Sequence, residues 1–166
     1  MLKKALVLAS VAVAFCVVWA FFGMIRADEA CKEAWGALET ALETRMAAAA
    51  ELASEARRVA GEEAVAAARE LGVWRQRWGT AKGAEEKWEA AGGMDRAAER
   101  LAELTAGAAE TGKVAQARLA WEGTAEKVES EREGYDQAVR EYNALIRSRA
   151  DAWLAEVSGM EARREL

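Results

Sequence analysis

Three groups of residues in this chain could do chemistry: one arginine, a run of carboxylates and a tryptophan–arginine cluster. Arg45 interrupts the series Trp35, Leu38, Leu42, Ala49, Leu52, Ala56 and Val59, whose three- and four-residue steps define one apolar helix face. A guanidinium on that face either pairs inside the protein or snorkels to water along its stem. Glu131 and Tyr135 of a later helix are the interior partners the pattern offers. Such a pair would set helix register more than stability, because desolvation offsets the Coulomb gain. Glu122, Glu126, Glu129, Glu131, Glu133 and Asp136 form an acidic stretch resembling a carboxylate metal site. Di-metal carboxylate helices need Glu-x-x-His pairs, however, and the chain has no His. The stretch therefore reads as a solvated face. Trp74-Arg75-Gln76-Arg77-Trp78 puts two indoles one turn apart between arginines, either as core or as a protein-docking tip built from common anchor residues.

The missing histidines also exclude Ser-His and Cys-His nucleophile pairs and imidazole zinc sites. With no phosphate loop either, the sequence predicts no catalytic residue, no cofactor and no metal. The function expected is binding without bond-making.

The elements that position these residues are helical. The 166 residues suit one domain of ordinary size, contain no Pro, and are rich in Ala, Glu, Arg and Leu but poor in β-formers. Ala5 to Ile25 is an uncharged run between Lys4 and Arg26. As a helix it spans about 32 Å, enough for a hydrocarbon core of about 30 Å. It exceeds the usual signal-peptide core of about 7–15 residues, and Ile25 stands where cleavage wants a small residue, so it reads as an uncleaved anchor. Residues 1–26 thus form a membrane anchor in contact with lipid through 5–25, and 27–166 a helical domain. Lys3 and Lys4 precede the span, whereas Arg26 is followed by Asp28 and Glu29, which by the positive-inside rule places the bulk outside the cytoplasm. All 28 acidic residues lie beyond the span, making the outer part more acidic than the chain's −5, and a poor partner for nucleic acid. Cys16 and Cys31 are small apolar fillers; in a homo-oligomer, Cys31 could bridge to its copy.

The outer pattern predicts a first helix over 27–71 stopped at Gly72, and a second over 73–91 with Trp74, Trp78, Ala81 and Trp88 on one face. Gly92-Gly93 is the next break, followed by a helix capped by Asp95 with a Met94, Ala97, Leu101, Leu104 and Ala108 stripe. A further break falls at Thr111-Gly112. Val114, Trp121, Val128, Tyr135 and Tyr142 then recur every seven residues, with Ala117, Thr124, Glu131, Ala138 and Leu145 on the alternate seam, in a helix ending near Ser158-Gly159. Two long and two short helices after a transmembrane helix give an all-α fold, an antiparallel up-and-down four-helix bundle.

The run from Trp121 to Tyr142 resembles the C-terminal motif of the LemA family, bacterial membrane-anchored helical proteins. Glu122, Gly123 and Thr124 match its Glu-Gly-Thr stretch, Arg132 its arginine, Tyr135 its first tyrosine, and Tyr142-Asn143 its second Tyr-Asn pair. Upstream, Trp35, Leu42, Arg45, Leu52, Glu63 and Arg69 fall on positions of the family's first helix. Ala47 to Glu51 replaces its Asp-Leu-Ile-Pro-Asn core, and Asp136 replaces the first Asn. The resemblance implies an anchored bundle without established catalysis, here at the bacterial cytoplasmic membrane with another envelope protein as its partner. A stator-like stalk similar to the b subunit of ATP synthase is the alternative, and would require one long, uninterrupted dimeric helix.

Overall fold

The structure, a computed structural model, describes residues 2–59, 61–107, 112–148 and 152–166. Its elements are α1 (Leu2–Val59), α2 (Gly61–Thr80), α3 (Ala84–Thr105), α4 (Lys113–Glu122), α5 (Ala125–Arg147) and α6 (Ala152–Ser158), with no strand among the described residues. The all-α expectation holds. The apolar run and the first amphipathic segment are one helix, since nothing between Ala5 and Val59 breaks the α1 hydrogen-bond ladder.

The helix boundaries differ from those expected, for identifiable reasons. Gly72 does not stop a helix; it lies inside α2. The first break comes earlier, where Gly61 takes a φ of 68°, a left-handed conformation open to glycine at little cost. Glu62 and Glu63 follow in the first turn of α2, where the helix dipole favours acids. The second break precedes Ala84 rather than Gly92: the Glu86 carboxylate accepts the Lys82 amide at 2.9 Å and so holds the start of α3. Trp88 therefore belongs to α3, and cannot share a helix face with Trp74 and Trp78 as expected.

Gly92 and Gly93 lie within α3, and Gly93 has a packing role there. A Cβ at Gly93 would come within 2.1 Å of Trp74 Cδ2, so the missing side chain is the slot that admits the indole. Of the expected Thr111-Gly112 break, Thr111 lies outside the described residues, as does Ala108 of the third stripe. Gly112 precedes α4 with a φ of 142°. The expected last helix is interrupted at Gly123-Thr124 and again after Arg147. Its Ser158-Gly159 stop is present. Gly159 has a φ of 69°, its amide donates to Glu156 O, and the Met160 amide donates to Ala155 O at 2.9 Å, a Schellman cap.

The chain divides into two compact units, one of residues 1–34 and 134–165, the other of 35–133 and 166. In the second, one buried cluster takes Ala49, Leu52, Ala53 and Ala56 from α1, Ala64, Ala67, Ala68 and Leu71 from α2, Met94, Ala97, Ala98 and Leu101 from α3, and Val114, Ala117 and Trp121 from α4. Alanine at so many of these positions lets backbones approach closely while burying little area per residue. Leu52, Leu71, Met94, Leu101 and Trp121 supply the larger contacts.

In the first unit, Met24 and Cys31 on α1, Tyr135, Val139, Tyr142 and Ile146 on α5, and Ala155 on α6 are buried. The α5 set recurs at three- and four-residue steps, as a packed helix face should. Cys31 is fully covered, so a Cys31 bridge between copies would require α1 to be uncovered first.

The two glycines of α3 make a testable pair. Gly93→Ala is expected to destabilise the protein by about 1–3 kcal/mol, as an overpacked core does, despite alanine's higher helix propensity. Gly92→Ala, whose Cβ would meet only the end of Arg96 at 3.6 Å, is expected to stabilise by up to about 1 kcal/mol. Thermal melting of the two variants checks the reversal of sign.

Candidate functional site

Arg45 is 9% exposed and forms the polar centre of the second unit. Its Nε donates to Asp95 Oδ1 at 2.7 Å. Its Nη1 donates to the Trp121 carbonyl at 3.2 Å and to Thr124 Oγ1 at 3.0 Å. The guanidinium carbon lies 4.6 Å from the centroid of the Trp121 ring.

These contacts explain the interruption between α4 and α5. The Trp121 carbonyl accepts the Thr124 amide at 3.1 Å and the Thr124 hydroxyl at 2.6 Å, so three donors converge on one oxygen at the turn. Thr124 closes the turn locally, and Arg45 ties it to α1 and, through Asp95, to α3. Arg45 is thus an interior residue with Asp95 as its carboxylate partner. Glu131, expected in that role, pairs with Lys127 one turn away on α5. Tyr135 belongs to the first unit.

The Trp74–Trp78 segment is partly buried. Trp74 lies against Gly93, with the guanidiniums of Arg77 at 4.4 Å and Arg96 at 5.8 Å from its ring centroid. Trp78 carries the Lys87 ammonium at 5.2 Å, and Lys87 pairs with Glu39 of α1. Arg75 and Arg77 are exposed. A cleft of about 200 Å³, lined by Trp74, Arg77, Thr80, Ala81, Glu86, Glu89 and Ala90, opens beside Arg77, whereas Arg75 faces α1 residues Ala50, Ala53 and Ser54 across a separate groove. The indoles pack against the protein and the arginines face solvent.

The residues on which the sequence resemblance rests divide between the units. Leu42 and Leu52 are core, Trp35 is half-buried, and Arg69 is exposed on α2. Glu122 and Gly123 are exposed at the turn that Thr124 closes. Arg132 pairs with Glu129 and donates to the Leu166 backbone oxygen at 3.1 Å. In the first unit, the Asn143 side chain clasps the backbone of Arg163: its Nδ2 donates to the Arg163 carbonyl at 2.8 Å and its Oδ1 accepts the Arg163 amide at 2.9 Å. The Arg163 side chain donates to Asp28 Oδ1 at 2.6 Å and lies 5.5 Å from the Tyr142 ring centroid. Residues 160–166 are non-helical, and this clasp fixes them.

Sequence reasoning missed Asp95, which it read only as a cap, and the Asp28–Arg163 pair. The basic doublet Arg163-Arg164 beyond the last glycine of an acidic chain was the available signal for the pair. Burial works to raise the Asp28 carboxyl, but the Lys32 hydrogen bond and the charges of Arg163 and Lys32 outweigh it and hold the pKa below its ordinary value. Burial pushes the Cys31 thiol and the Tyr135 and Tyr142 hydroxyls up. Comparison with known protein families, curated proteins and solved structures finds no match to this chain.

Two predictions follow from this geometry. Removing Arg45 (Arg45→Met) strands Asp95 and the Thr124 turn and is expected to cost about 3 kcal/mol. A double-mutant cycle is expected to give a coupling of about 1–2 kcal/mol between Arg45 and Asp95 and none between Arg45 and Glu131. The raised thiol and hydroxyls stabilise the fold fully below their unfolded values of about 8.5 and 10, and that contribution is lost as pH rises through the folded values. Urea unfolding of the detergent-solubilised chain should therefore show falling stability above about pH 9, with a shallower fall in Tyr135→Phe/Tyr142→Phe.

Proposed function

We propose that this chain is a membrane-anchored, LemA-like helical protein of the bacterial cell envelope that works as a non-catalytic scaffold or protein-interaction element. Residues 5–25 span the cytoplasmic membrane with the N-terminus inside, and the remainder folds outside as an antiparallel up-and-down bundle. In this reading α1 is one long member, α2 and α3 are the short hairpin, and α4 to α6 together are the long return.

The observation that carries the anchored reading is the change of environment along α1. Val11, Phe15, Val18, Trp19 and Phe22 are exposed, Trp19 at 72%, whereas Met24 is 0% exposed and Cys31 likewise. Among the described residues this is the one helix long and apolar enough to cross a membrane. Five aromatic and branched side chains left in water over three turns would be costly, and lipid removes that cost. A stator-like stalk would need an uninterrupted helix, and the turns at Gly61 and Gly83 with a core shared by four helices favour the bundle.

The docking surface in this reading is the cleft beside Trp74, with Arg77 as its exposed arm and another envelope protein as its occupant. A photo-crosslinking residue at Thr80, exposed on the cleft lining, is expected to capture a specific partner in whole cells, and Arg77→Glu is expected to abolish the adduct. Equal adducts from Thr80 and from the exposed Glu51 of α1 would refute docking at this cleft. Sidedness needs a reporter other than Cys31, whose burial and raised pKa keep it unreactive. A cysteine at exposed Ser54 is expected to react with a membrane-impermeant maleimide applied from the periplasmic side.

A further inference from the structure

The first unit holds a concentration of positive charge that the anchored scaffold reading does not use. An open cavity of about 390 Å³ is lined by Arg140, Asn143, Arg147, Arg163, Arg164 and Glu165. Four guanidiniums face Glu165, which bonds Arg140 at 3.0 Å, and Asp28, which bonds Arg163 at 2.6 Å. Among the described residues that line it, four arginines stand with one carboxylate, Glu165, in a chain whose net charge is −5.

Its position follows from Asp28. That residue stands three positions beyond Ile25, the end of the apolar run, or about 4.5 Å along the helix axis. The polar headgroup layer of a bilayer adds about 5–7 Å on each side of the hydrocarbon core, so Asp28 and the Arg163 bonded to it fall within it. Met24, one residue inside the run, is already covered by protein, which means that the folded unit reaches down to this level.

Arg163 is also fixed in place, because Asn143 grips its backbone on both sides. A second feature points the same way. Trp153 and Val157 lie one turn apart on α6 and are exposed, Val157 at 81%. An indole and a branched apolar side chain on one face suit the interfacial layer, where tryptophan is enriched.

We propose that this cavity binds the phosphate of an anionic phospholipid headgroup. Arginine forks match phosphate oxygens in pairs, and a pocket of several arginines held by their own carboxylates keeps the geometry open for a ligand. Arg147 and Arg164, both exposed, make the primary contacts. Arg163 and Arg140 supply field and shape. Trp153 and Val157 rest against the lipid beside the bound headgroup. The inference rests on the membrane-anchored reading.

The test uses the full chain in a non-ionic detergent, with bound lipid counted by native mass spectrometry. The probes are phosphatidylglycerol, phosphatidylcholine and inorganic phosphate. Phosphatidylglycerol is expected to be retained about tenfold more than phosphatidylcholine, and millimolar inorganic phosphate is expected not to displace it. Arg147→Gln/Arg164→Gln should bring phosphatidylglycerol down to the phosphatidylcholine level with an unchanged helical spectrum. Arg57→Gln/Arg58→Gln, on exposed residues of the other unit, should leave it intact. Equal retention of the two lipids, no effect of the double variant, or displacement by inorganic phosphate would each overturn the lipid site. Carbonate extraction of native membranes separates the two readings. A chain that washes out sinks the anchor, whereas a chain that stays in the membrane but shows no lipid preference sinks this inference alone.

Discussion

The fold depends on the continuity of α1. One helix, Leu2–Val59, presents bare apolar side chains to its surroundings through Phe22 and protein-covered ones from Met24 onward. A helix can carry both kinds of side chain in one run because its backbone hydrogen bonds close internally. The change is then carried by side chains, and the absence of proline leaves the hydrogen-bond ladder of α1 unbroken. Both compact units take residues from α1, and both take residues from α5. Loss of α1 would remove Met24 and Cys31 from the core of one and Ala49, Leu52, Ala53 and Ala56 from the core of the other.

Polar groups inside the protein follow a different logic from its alanine-rich core. Arg45 collects Asp95, the Trp121 carbonyl and Thr124 at one point, joining three helices where the fourth bends. Close packing of small side chains tolerates sliding, since one alanine resembles the next along the face. A buried guanidinium with three directed bonds does not tolerate it. Its contribution is to specify one alignment out of several of similar apolar burial. Asn143 does the same for the segment beyond α6, with two backbone bonds that hold only one residue in place.

Much of the architecture was legible from spacing. The heptad Val114, Trp121, Val128, Tyr135 and Tyr142 is buried throughout, and the α1 stripe from Leu38 to Ala56 is buried too, because core periodicity follows directly from side-chain direction on a helix. The alternate seam was less so: Ala117 is buried, but Glu131 and Ala138 are half-buried and Leu145 is exposed. Glycine misled where its two uses look alike in a string of letters. Gly72 is a tolerated helix residue and Gly93 is a slot for an indole, whereas Gly61, less conspicuous, turns the chain. The sites were the least legible part. Asp95 meets Arg45 across fifty residues and Arg163 meets Asp28 across 135, and neither pairing leaves a periodic trace.

The most direct test of the account is a nitroxide scan of the full chain in lipid bilayers, one label at a time from Ser10 to Leu38, with collision rates measured against oxygen and a polar nickel chelate. The account predicts oxygen-dominated collisions from Val11 to Phe22. From Met24 onward it predicts immobilised, chelate-shielded labels recurring every three to four residues with no change of helical phase. Chelate access throughout residues 11–22, or a loss of phase between Gly23 and Asp28, would contradict it.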